Sequence, residues 1–82
     1  MNDDAETLEC QELVKGILAE IDPALSLHDF RIVKGPTHTN LIFDLVVPYQ
    51  TPYSIDALKD AVKKKLQEKN AQYFAVIQID HP

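Results

Sequence analysis

Ser26-Leu27-His28-Asp29-Phe30-Arg31-Ile32-Val33-Lys34-Gly35-Pro36-Thr37-His38-Thr39-Asn40-Leu41-Ile42-Phe43-Asp44-Leu45-Val46-Val47-Pro48 is the stretch that decides the fold of this 82-residue chain. Two segments rich in β-branched and aromatic residues flank Gly35-Pro36, which reads as a strand, a tight connection and a second strand folding back. The resulting β-hairpin carries His28 and Asp29 at one end, His38 near its tip and Asp44 inside its second strand. These are groups with the chemistry to hold a divalent cation.

Alternation sorts the side chains of each strand onto two faces. In the first strand it predicts His28, Phe30 and Ile32 on one face, toward the core, and Leu27, Asp29, Arg31 and Val33 on the other. In the second, Leu41, Phe43, Leu45 and Val47 form a wholly apolar face that should meet helices. Asn40, Ile42, Asp44 and Val46 point away.

Working outward, Cys10, Leu13, Val14, Ile17, Leu18 and Ile21 recur at three- and four-residue spacing, which predicts an amphipathic helix from about Thr7 to Ile21. Asp22-Pro23 ends it, because the residue before a proline is pushed out of the α region. Beyond the hairpin, Pro48 and Pro52 bar continuation of the strand. Ser54 is the expected N-cap of a second helix that ends near Asn70, with apolar stripe Ile55, Leu58, Ala61, Val62 and Leu66. Tyr73 to Asp80 alternates Ala75, Ile77 and Ile79 with Val76, Gln78 and Asp80 and reads as a third strand. The order helix, strand, strand, helix, strand predicts an α+β fold, a three-stranded mixed sheet with both helices on one face. Strand three should run parallel to strand two. The other face would leave Val33, Ile42, Val46 and Val76 uncovered, as a dimer interface or a ligand surface.

Composition narrows the function. Eight basic against thirteen acidic residues give a net charge of −5, which disfavours nucleic acid as a partner. The run Lys63-Lys64-Lys65, with Lys59 and Lys69, reads as the solvated side of the second helix, offset by Asp60 and Glu68. A single cysteine, Cys10, excludes an internal disulfide and a Cys-based zinc site and is expected to pack as a small hydrophobe. No run approaches the roughly 20 apolar residues of a membrane-spanning helix, so this chain is not expected to insert into a bilayer. The sequence has no Gly-rich phosphate loop, no nucleophile flanked by a base and no His-Glu-x-x-His, so an enzyme is not expected. Residues 1–6 read as a flexible acidic leader and residues 7–82 as a single domain. So small a domain has a thin stability margin, which a partner subunit would widen.

The His28-Asp29-Phe30-Arg31 segment, the Gly35-Pro36-Thr37-His38-Thr39-Asn40 turn, the Asp44-bearing strand and the closing Gln78-Ile79-Asp80 resemble the C-terminal cytoplasmic domain of cation diffusion facilitator (cation efflux) transporters. The resemblance implies a metallochaperone-like, ferredoxin-like-related α-β-β-α-β domain that homodimerises beneath the membrane part of a proton-coupled exporter of zinc, manganese or iron. It further implies that metal binding draws the two subunits together and regulates transport. The chain would then be an excised domain, partnered by the transmembrane domain of the same transporter at the cytoplasmic face of the membrane, or a free-standing relative such as a soluble metal carrier. By the same resemblance the metal ligands fall on His28, Asp44, Asp56, Gln78 and Asp80. With Asp44, Asp56 and Gln78 where many members have histidine, the donor set is hard and oxygen-rich, which shifts preference toward manganese or iron, or toward weak binding of any divalent ion.

Each of these residues also has a plainer reading. His28 is able to cap the apolar layer at the start of a strand, and Asp29 to pair with Arg31. Asp44, a carboxylate amid apolar neighbours, costs free energy unless it is solvated, paired or coordinated. Asp56 suits the positive end of a helix. His38 and His81 read as solvated. A dimerisation module in which Asp44 and Asp80 make only polar contacts across the interface is the metal-free alternative.

Overall fold

A computed structural model describes residues 3–82, with side chains placed from residue 5 onward. Its elements run α1 (Asp3–Ile21), β1 (Ser26–Lys34), β2 (Thr39–Val46), α2 (Ile55–Lys69) and β3 (Tyr73–Asp80). The sheet order is β1-β2-β3, with β1 antiparallel and β3 parallel to β2. This is the mixed three-stranded α+β arrangement that the apolar periods predict.

The helices cover one face of the sheet. Cys10, Val14, Ile17 and Leu18 of α1, Leu58, Val62 and Leu66 of α2, and Leu41, Phe43, Leu45 and Val47 around β2 form one buried cluster. Fully burying a Leu, Ile, Val or Phe side chain contributes about 1.5–3 kcal/mol, so these rows supply the main favourable term of folding. Ser54 caps α2, its Oγ accepting from the Ala57 amide at 3.1 Å, and Asp56 sits in the first turn as the helix dipole favours. Cys10 is buried, and its thiol approaches the Tyr73 hydroxyl at 3.7 Å, tying α1 to β3.

α1 starts at Asp3, four residues before the apolar period requires it. Residues 3–6 of the expected leader are therefore helical, and Glu6 accepts from Lys34 of β1 at 3.1 Å. Met1 and Asn2 of that leader lie outside the described residues.

The faces of β1 differ from simple alternation. Leu27 is buried opposite Leu45, whereas His28 is exposed opposite Asp44. Beyond them the register slips by one residue: Arg31 lies opposite Ile42, so Asp29 and Phe30 together face Phe43. That is a β-bulge, with Asp29 in the left-handed region at φ 56°. The extra residue resets the parity, so Phe30 still stacks on Phe43, centroids 5.9 Å apart, while Leu27 joins the core. The expectation of His28 toward the core and Leu27 away from it is corrected accordingly. Asp29 is taken up by the bulge, and among the described residues no ion pair joins it to Arg31.

Candidate functional site

The uncovered face of the sheet is built from four cross-strand rows. Their members, read β1 to β3, are Val33, Asn40 and Phe74; Arg31, Ile42 and Val76; His28, Asp44 and Gln78; and Ser26, Val46 and Asp80. Val33 and Val76 are 51% and 48% exposed, a large share for β-branched apolar side chains in strands, whereas Val46, expected to be uncovered with them, is buried at 6% exposure. A shallow depression of about 740 Å³ on this face is lined by Asp29, Arg31, Ile42, Asp44, Val76 and Gln78 among others.

Asp44 is the centre of this face. The bulge places Asp29 beside it on the lining of the same depression. The Asp44 pKa is raised above the ordinary carboxylate range, first by partial burial between its apolar neighbours, then by the neighbouring Asp29 carboxyl and by the negative charge of Asp80, while His28 pulls it down. Neighbouring carboxylates repel one another, so neutralising either charge is favourable. A cation would serve the same electrostatic purpose.

Of the five residues with expected ligand roles, His28, Asp44 and Gln78 therefore share one row and Asp80 stands one row along on the same face. Asp56 does not join them in the sheet; it lies on the first turn of α2, in the helical layer. Among the described residues, no three His, Cys, Asp or Glu side chains gather closely enough to hold a metal ion. One chain thus carries an imidazole, carboxylates and an amide oxygen on one face without gathering them into a cluster.

His38 and His81 are exposed, as the sequence reading expects, and each also has a partner. His38 stacks on Phe74, centroids 4.4 Å apart, and its Nδ1 lies 2.6 Å from the Thr37 hydroxyl. His81 donates from Nδ1 to the Val47 carbonyl at 2.9 Å and stacks on Tyr49, closing the far end of the sheet. Asp29 is the third residue that sequence undervalues. Its signal is the parity of the apolar residues, odd at Leu25 and Leu27 and even at Phe30 and Ile32, which requires one inserted residue between them.

The family model described as "Cation efflux protein, cytoplasmic domain" matches residues 8–82. A solved structure from a study of the mode of action of CzrB, described as a zinc transporter, matches with a TM-score of 0.74 and 26% sequence identity. The match covers 90% of this chain and 94% of that one. No curated protein matches the sequence. Among the described residues no helix is long and apolar enough to cross a membrane.

Proposed function

Because this chain belongs to the family of cation efflux protein cytoplasmic domains, we propose that it is the regulatory and dimerising module of a divalent-cation exporter, with the open sheet face as the meeting surface of two copies. The observation that carries the reading is Asp44. It sits beside exposed Val76 on a face that the fold leaves bare, and its charge is disfavoured where it stands. Burying Val33, Ile42 and Val76 against a second copy would offset the cost of their exposure. A divalent ion shared between two such faces would relieve the repulsion among Asp29, Asp44 and Asp80.

The ligands would be His28, Asp44, Gln78 and Asp80, with the remaining coordination supplied by the second copy. Asp56, standing in the helical layer, would contribute only from a partner's α2. One imidazole with oxygen donors suits zinc, manganese or iron(II). CzrB, described as a zinc transporter, favours zinc as the first ion to try. Metal would act by its greater affinity for the closely paired state, and the coupling would be reciprocal. A transmembrane domain of the same transporter would read the change.

The test is sedimentation and small-angle scattering of the chain titrated with zinc, manganese and iron(II). Expected is a dimer that becomes more compact at micromolar to submillimolar metal; no binding below millimolar and unchanged scattering would remove the regulatory role. The incomplete donor set in one chain favours a second reading, a dimerisation module without metal. Asp44→Ala separates the two. An intact dimer with a lost metal response supports regulation, and loss of the dimer alone supports the purely structural role.

A further inference from the structure

The outer edge of β3 is the feature of this fold that the dimer face does not use. β3 is the terminal strand of the sheet, so one side of its backbone meets no further strand. The opposite edge, on β1, is broken by the bulge at Asp29, a device that discourages pairing. β3 has no such interruption: Tyr73–Asp80 contains no proline, no positive φ and one charged residue in eight.

α2 runs alongside that edge. Asp60, Lys63, Lys64 and Gln67, at helical i, i+3, i+4 and i+7 spacing, form one wall of a groove of about 580 Å³ whose other lining is Phe74 and Ala75 of β3. Five of the chain's eight Lys and Arg residues lie on α2, against three acidic residues there, although the chain as a whole carries −5. Lys65 is engaged by Glu20 at 3.6 Å. Among the described residues no ion pair engages Lys63 or Lys64.

We propose that the groove between α2 and β3 binds an extended acidic peptide segment, which adds to the β3 edge as a fourth strand beneath Lys63 and Lys64. Main-chain hydrogen bonds along the edge provide attachment, and the two ammonium groups select for negative side chains on the segment. Phe74, on the open-face side of the strand, meets the apolar side chains that alternate with them. A second copy of this chain is the wrong occupant. Pairing two β3 edges about a two-fold axis brings two α2 helices together on the same side of the sheet, lysine against lysine.

The probe is a capped octapeptide of alternating Asp and Val, compared with its Lys and Val counterpart, titrated into the isotopically labelled chain by NMR. The expected result is shifts confined to amides of β3 and residues 60–67, slowed amide exchange in β3, and at least tenfold weaker binding of the lysine peptide. Lys63→Glu with Lys64→Glu, both at exposed positions, should weaken the acidic peptide at least tenfold and leave the fold intact by circular dichroism. No shifts up to millimolar peptide, equal binding of both peptides, shifts confined to α2, or shifts centred on Arg31, Ile42 and Asp44 would each overturn the proposal. The last pattern would mean that the open face, not the edge, takes the segment.

Discussion

Asp29, in the β1 bulge, and Asp44 of β2 line the same depression on the open face, and burial together with the neighbouring Asp29 raises the Asp44 pKa above the ordinary carboxylate value. A carboxyl whose pKa is higher folded than unfolded binds more protons in the native state. Its contribution to stability is greatest below the unfolded pKa and is lost as pH rises through the folded one. In metal-free buffer the Asp44→Asn variant, whose amide carries no charge, should melt higher than the wild type at neutral pH. The advantage should shrink as pH falls into and below the carboxylate range. Thermal melts from pH 3 to pH 8 measure this, and a variant that is less stable at pH 7 refutes it.

The same bulge makes a backbone prediction. At φ 56° a side chain with Cβ is strained, and glycine is not. Asp29→Gly and Asp29→Ala delete the same carboxyl, so electrostatics cancels between them. The glycine variant should be the more stable by about 1 kcal/mol in urea denaturation. Equal stabilities would mean that the chain relaxes out of the left-handed conformation once the Asp29 carboxyl is gone.

Most of the architecture is legible in the sequence because each element announces itself by a period. The 3.6-residue recurrence from Cys10 to Ile21, the Ser54 cap, and the Leu41-Phe43-Leu45-Val47 alternation all lie where the structure has them. What period alone misreads is the face of Leu27 and His28. A single residue in the left-handed region reverses parity without altering composition, and aspartate is one of the few side chains that tolerates it. That reversal is also what carries His28 to the side of Asp44. The candidate site is therefore legible as a set of residue types but not as a row. Partners of His38 and His81 were hidden for another reason: stacking on Phe74 and Tyr49 joins residues far apart in sequence.

The Ser54 cap has a cost that can be isolated. Its hydroxyl satisfies the Ala57 amide at the exposed start of α2, remote from the open face. Ser54→Ala should destabilise the chain by about 1 kcal/mol. Phe43→Ala, which empties the centre of the core where Phe30 stacks, should cost about 3–5 kcal/mol. In a domain of this size the second loss is expected to abolish the cooperative denaturation transition, while the first only shifts its midpoint.

Val76 separates dimerisation from folding. In one chain its side chain is 48% exposed, opposite Ile42, so replacing it removes little core contact and a monomer should tolerate the change within about 1 kcal/mol. In a dimer that closes over this face, Val76→Glu buries a carboxylate among apolar side chains and adds it to the negative charge of Asp29 and Asp44. The dimer Kd by sedimentation equilibrium should rise at least about a hundredfold, with the circular dichroism spectrum unchanged. Lys64→Glu, an equally charged alteration on the helical side, should leave the dimer Kd within about threefold of the wild type. If Val76→Glu dimerises as well as the wild type, the two copies do not meet through the open face, and a shared metal at Asp44 loses its geometry with it.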